Sequence, residues 1–228
     1  MLRINIISTL ILTSLLMSCG NNEKKTDQST VKAAEGESAT RSSNPNVQHI
    51  LFFGTSLTAG YGLDPKDAYP ALIQKKIDSA SLSYKIINAG LSGETSAGGK
   101  SRIDWLLKQP VDIFVLELGA NDGLRGLSIP ETQANLQSII DKVKAKYPAV
   151  KLVMLGMQMP PNMGAKYTGD FKAVFSSLAD KNKMVYVPFL LEGVGGVAKL
   201  NQEDGIHPTA EGQKILAENV WVKLKEQL

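Results

Sequence analysis

The chain has 228 residues, 43% hydrophobic, 21% charged and 6% aromatic, with a formal charge of +3 at pH 7. That length makes one sizeable domain, and excludes two ordinary ones once tails are removed. With no Lys/Arg cluster on any segment there is no nucleic-acid footprint, and a single cysteine excludes an internal disulfide or a cysteine-rich zinc site.

Residues 1–18, MLRINIISTLILTSLLMS, carry one early Arg3 and an apolar run from Ile6 to Met17. The run is shorter than the roughly 20 residues that cross a bilayer and reads as a signal-peptide core. It ends in Leu16-Met17-Ser18-Cys19, which resembles a bacterial lipobox. In such a signal the cysteine receives the lipid and becomes the mature N-terminus. Cys19 is therefore the expected lipidation site, a simple secretory signal with an incidental cysteine being the alternative. Anchoring would need several acyl chains, since one alone holds weakly. Residues 19–48 contain few large apolar groups, and Lys24, Lys25, Lys32 and Arg41 offset Glu23, Asp27, Glu35 and Glu37. Such a stretch cannot bury enough surface to offset the entropy of ordering, and reads as a flexible tether.

From His49 the pattern changes. HILFF (49–53), YKIINA (84–89), VDIFVLEL (111–118), KLVMLGM (151–157) and MVYVPF (184–189) are short Ile- and Val-rich runs ending near Gly, Pro or polar loops. Buried parallel strands look like this. Helical spacing places Leu72, Ile73 and Ile77 on one face of 69–79, and Leu136, Ile139, Ile140 and Val143 on one face of 130–147. Phe171, Val174, Phe175 and Leu178 mark a helix over 171–179, and Ile215, Leu216, Val220 and Leu224 mark the last one. The alternation predicts an α/β, doubly wound three-layer sandwich on a five-stranded parallel sheet over 49–228.

In such sheets ligands bind at the carboxyl ends of the strands, so the residues just beyond each strand matter most. Ser56 follows the first, Gly93 the second and Asn121 the third, while Asp204 and His207 follow the fifth. Ser56 needs a base, and His207 is the only imidazole in a plausible place. Asp204, three residues earlier, can reach the ring nitrogen turned away from the serine and fix its tautomer. The Asn121 amide with the backbone N–H groups of Ser56 and Gly93 would surround a tetrahedral oxyanion, where one donor is worth about 3–4 kcal/mol. Glycine at 93 would let substrate approach the backbone closely. Singly, each residue has a plainer role: Ser56 as a turn former, Asn121 as a cap, His207 as a solvent-facing residue, Asp204 as a charge at a helix start. The conjunction, in order and with a scarce histidine, favours nucleophilic catalysis. Gly98-Gly99-Lys100-Ser101 ends like a phosphate-binding loop, but that motif requires glycine where Glu94 stands.

These blocks resemble the SGNH (GDSL-type) hydrolases, which contribute Ser, Gly, Asn and His in that order. SLTAGYGL (56–63), ELGANDGLRG (117–126), MPPNMGAKYTGDF (159–171) and DGIHPTAEGQ (204–213) are similar to the thioesterase I/lysophospholipase and arylesterase branch. The resemblance implies a flavodoxin-like sheet, no cofactor and no metal, and hydrolysis of esters or thioesters through an acyl-enzyme. It makes Ser56 the nucleophile, Gly93 and Asn121 oxyanion residues, and Asp204 and His207 the rest of a triad. Two positions depart from the family: Thr55 replaces its usual Asp, and Ala120 a frequent Gly.

The acyl pocket is expected from Gly123 and Leu124 after Asn121, and from the Met157–Tyr167 loop with Met157, Met159, Pro160 and Tyr167. Methionines adapt to irregular apolar groups, although they also serve as core under a loop. The expected activity is hydrolysis of short to medium acyl or aryl esters, with lysophospholipids and thioesters as candidates. A carbohydrate O-deacetylase of the same superfamily, or a non-catalytic lipoprotein binding an envelope ligand, are the alternatives. The expected partners are a small-molecule or lipid ester and, through the lipid anchor, a bacterial envelope membrane facing the periplasm. No nucleic acid is expected, and the chain is expected to act as a monomer.

Overall fold

The computed structural model describes residues 47–228, so the signal segment, Cys19 and nearly all of the tether lie outside the described residues. Five strands form one parallel sheet in the order β2-β1-β3-β4-β5. They are β1 (Gln48–Gly54), β2 (Tyr84–Gly90), β3 (Ile113–Glu117), β4 (Lys151–Leu155) and β5 (Val185–Val187). The helices are α1 (Ser56–Ala59), α2 (Tyr69–Ser79), α3 (Ser96–Leu106), α4 (Ala120–Leu124), α5 (Ile129–Lys146), α6 (Ala165–Asn182) and α7 (Ala210–Leu224). α2 packs with α7, whereas α5 packs with both α3 and α6, which makes the three expected layers.

β1 and β3 are central and read as unbroken apolar runs because both their faces are covered; Ile50–Phe53 and Phe114–Leu116 are fully buried. Gly54 pairs with Gly90 on one side and Glu117 on the other, so the three strands end level. The chain passes from β1 outward to β2 and then back across to β3. The strand order reverses there, and a crevice opens between the loops at these strand ends. Thr95, Ser128 and Thr209 cap α3, α5 and α7 by accepting from the Gly98, Glu131 and Gly212 backbone N–H groups.

No element is expected over 96–106, and α6 is longer than expected at its start. Residues 98–101, which end like a phosphate-binding loop, lie inside α3. A Cβ on Gly99 would collide with Leu118 and crowd Phe53, so this glycine lets the helix sit directly on the sheet. α6 begins at Ala165 rather than Phe171, because its first turns are exposed and carry no apolar stripe.

Candidate active site

Ser56 opens α1, a single turn stopped by Gly60 at φ 74°. The turn is anchored from below by Glu117, the last residue of β3. Its carboxylate accepts from the Thr55 N–H (2.8 Å) and Oγ1 (3.0 Å), and from the Thr58 N–H (3.3 Å) and Oγ1 (2.7 Å). Tyr69 OH lies 2.8 Å from Thr58 Oγ1 and extends the chain of bonds. Glu117 is 1% exposed, and burial pushes its carboxyl above the usual range against those bonds. Thr55 therefore serves as a donor to a carboxylate that sequence reasoning passed over as part of a buried strand.

The Ser56 hydroxyl lies 2.9 Å from His207 Nε2, and His207 Nδ1 lies 2.6 Å from Asp204 Oδ2. Asp204 Oδ1 also accepts from the Ile206 and His207 N–H groups, both at 3.0 Å. The histidine bond, followed by these backbone bonds, lowers the Asp204 carboxyl to about 2. The Tyr61 ring rests against the imidazole, centroids 4.6 Å apart at 40°.

Asn121 stands in the first turn of α4 and donates from Nδ2 to the Glu94 carbonyl (2.9 Å), leaving its second amide hydrogen free. Asp122 fixes that turn by accepting from Ser96 N–H (2.8 Å), Ser96 Oγ (2.5 Å) and Thr132 Oγ1 (3.3 Å). Gly93 has φ +79°, a left-handed conformation that L side chains rarely adopt. A Cβ there would meet nothing in the protein nearer than Arg125 Nη2 at 3.9 Å, so within the protein the glycine is required for its backbone angle, not for space. Arg125 donates to the Gly93 carbonyl (3.0 Å), and Glu94 is paired with Arg102. Among the described residues neither the Ser56 nor the Gly93 backbone N–H donates to a protein acceptor. The expected Ser, Gly, Asn, Asp and His thus converge on one crevice.

The crevice holds about 760 Å³ and is lined by Leu124, Met157, Met159 and Pro160, as expected. Gly123 and Tyr167 do not line it. Gly123 is buried beneath, where a Cβ would collide with Met159 and Phe171. Tyr167 belongs to α6, and its hydroxyl donates to the Gly123 and Leu127 carbonyls, both at 3.2 Å. Further lining residues, Phe189, Leu191, Gly195, Gly196 and Ile206, come from the segment after β5, and of these Leu191, Gly195 and Gly196 lie in no run or block that the sequence marks. Among the described residues no group of His, Cys, Asp or Glu side chains is arranged to hold a metal ion.

The profile of the GDSL-like lipase/acylhydrolase family matches residues 52–215. The chain is 43% identical over 183 residues to the esterase TesA of Pseudomonas aeruginosa, covering 80% of this chain and 90% of that one. It is 36% identical over 170 residues to thioesterase 1/protease 1/lysophospholipase L1 of Escherichia coli, covering 74% and 79%. The crystal structure of the psychrotrophic esterase EstA from Pseudoalteromonas sp. superposes with a TM-score of 0.73 at 32% identity, over 79% of this chain and 98% of that one. By sequence and by fold, this chain belongs to the GDSL-like lipase/acylhydrolase family.

Proposed function

We propose that the chain is a serine esterase acting on short to medium acyl or aryl carboxylic esters, lysophospholipids and acyl thioesters among them. One observation carries the reading: the Ser56–His207–Asp204 relay, at 2.9 and 2.6 Å, opens onto an apolar-walled crevice. His207 Nε2 takes the proton as Ser56 Oγ attacks the ester carbonyl. Asp204 holds Nδ1 protonated and stabilises the imidazolium. The negative oxygen of the tetrahedral intermediate falls to the Ser56 and Gly93 N–H groups and the free amide hydrogen of Asn121. His207 then returns the proton to the departing alcohol or thiol, leaving an acyl-serine. Water, deprotonated by the same imidazole, attacks that acyl group and releases the acid, and the proton returns to Ser56.

The aliphatic and methionine walls suit an acyl chain better than a sugar. The relatives named esterase, arylesterase and thioesterase/lysophospholipase support the same class. The chain is taken to act as a monomer, since the Ser56, His207 and Asp204 contacts are complete within one chain and the proposed chemistry requires no second copy. The Leu16–Cys19 sequence supports a signal peptide, lipidation at Cys19 and a place in the bacterial envelope facing the periplasm. Domain bounds of 1–18, 19–48 and 49–228 accord with that reading. Metabolic palmitate labelling that persists in Cys19→Ala would refute the anchor.

The deciding experiment treats the full chain with a fluorophosphonate and locates the adduct by peptide mass spectrometry, alongside p-nitrophenyl esters from acetyl to decanoyl. The expected result is an adduct on Ser56, absent in His207→Ala, with turnover extending beyond acetyl. No adduct on folded protein would refute the hydrolase reading, and turnover confined to acetyl would move it to an O-deacetylase.

A further inference from the structure

Ser56 and His207 are 151 residues apart, yet proton transfer requires them at 2.9 Å. The acid and base sit on a loop whose own bonds run through Gln202. The Gln202 N–H donates to the His207 carbonyl (2.7 Å), and the Gln202 carbonyl accepts from the Gly205 N–H (2.9 Å), closing the loop around Asp204. The side chain points the other way. Its Nε2 donates to the Tyr61 carbonyl (2.7 Å), 141 positions upstream, and to the Pro208 carbonyl (3.0 Å), directly after His207.

Tyr61 belongs to the nucleophile's turn, since its N–H donates to the Ser56 carbonyl at 3.0 Å. Gly62, at φ +76°, leaves room for the carboxamide, because a Cβ there would collide with Gln202 Oε1. One half-buried side chain thus spends both amide hydrogens on two carbonyls, one on each side of the reacting pair.

We infer that Gln202 is a positioning residue: its carboxamide docks the Asp204–His207 loop onto the Ser56 turn and so sets the serine–histidine distance. The inference rests on the serine-hydrolase reading of the same site. It makes the amide chemistry essential, because a carboxylate there would set an acceptor against two carbonyl oxygens, and a leucine would leave both unbridged. Apart from the Nε2–Pro208 bond, the loop's internal bonds run between backbone, Asp204 and His207 atoms and survive either change.

The test compares the full wild-type chain with Gln202→Leu and Gln202→Glu. The readouts are kcat and KM on p-nitrophenyl butyrate, the second-order rate of fluorophosphonate labelling, the downfield His207 Nδ1 proton resonance and the urea midpoint. Displacement of a catalytic pair by about 1 Å can cost on the order of 100-fold. Gln202→Leu should lower kcat and the labelling rate together by about 10- to 100-fold, with KM and the Nδ1 resonance retained, and Gln202→Glu should do no better. Labelling of either variant at the wild-type rate would overturn the inference. So would loss of the Nδ1 resonance together with activity, since Gln202 would then hold the loop's fold and not its docking. A wild-type chain that takes no label would instead overturn the hydrolase reading, and the inference with it.

Discussion

Replacing Glu117 tests whether the nucleophile's turn depends on the buried carboxylate beneath it. In Glu117→Ala the Thr55 and Thr58 backbone N–H groups and the Thr55 hydroxyl lose their acceptor, while the Thr58 hydroxyl can still bond to Tyr69. Three orphaned buried donors, at about 1–3 kcal/mol each, give an expected loss of about 3–9 kcal/mol of folding stability. Glu117→Gln is different. With its oxygen in the Oε2 position it still accepts from the Thr55 N–H, the Thr58 N–H and the Thr58 hydroxyl, and its nitrogen, placed at Oε1, donates to Thr55 Oγ1 3.0 Å away. Its stability should stay within about 1 kcal/mol of wild type, since charge-assisted bonds are lost together with the cost of burying the charge. Urea unfolding of the full chains, followed by circular dichroism, measures both. The pH dependence gives a sign. Burial raises the folded carboxyl above its ordinary 4.5, so the wild type loses stability as pH rises from 4.5 through the raised value. Glu117→Gln does not, and should gain on wild type over that window. An alanine variant within about 1 kcal/mol of wild type, or a glutamine variant as damaged as alanine, would refute the account.

Three further outcomes are expected. Gly93→Ala should lower kcat by at least tenfold with KM little changed, because the left-handed backbone that aims its N–H costs an L residue about 1–2 kcal/mol. Gly126→Ala, also at positive φ (65°) and with nothing within 4 Å of its Cβ, should lose stability alone, and an equal kcat loss in both would discard the oxyanion role. Asp204→Asn should lower kcat by about 100- to 10,000-fold, because one rotamer presents an amide to His207 Nδ1 and the other gives up the backbone N–H bonds. The wild-type carboxyl titrates only at about 2, so activity lost between pH 7 and 5 should not come from Asp204, and a Cγ carbon resonance moving in that range would contradict this.

The chemistry of the site was legible because its residue types are scarce and lie just beyond strand ends. Ser56, Asn121 and His207 could be placed on one edge as soon as the Ile- and Val-rich runs were read as parallel strands. What stayed hidden depends on tertiary contact. α3 has two glycines and little apolar stripe, and it is a helix because Gly99 permits close packing on Phe53 and Leu118. Glu117 looked like an irregular end to a strand until Thr55 and Thr58, some 60 positions earlier, were brought over it. Gln202 carries no chemistry of its own and gains meaning only from the Tyr61 carbonyl. Tyr167 was expected in the pocket because the exposed first turns of α6 hid the helix that turns its hydroxyl toward α4.

The order of the reacting groups along the chain has a consequence for biosynthesis. Synthesis runs from the amino end at about 5–20 residues per second, so the 151 positions between Ser56 and His207 take about 8–30 s to make. Through that interval the serine exists without its base. α7, which packs on α2, also comes after His207 and is made later still. A nascent or unfolded chain therefore carries an ordinary hydroxyl, and hydrolytic power waits until His207 is brought to Ser56.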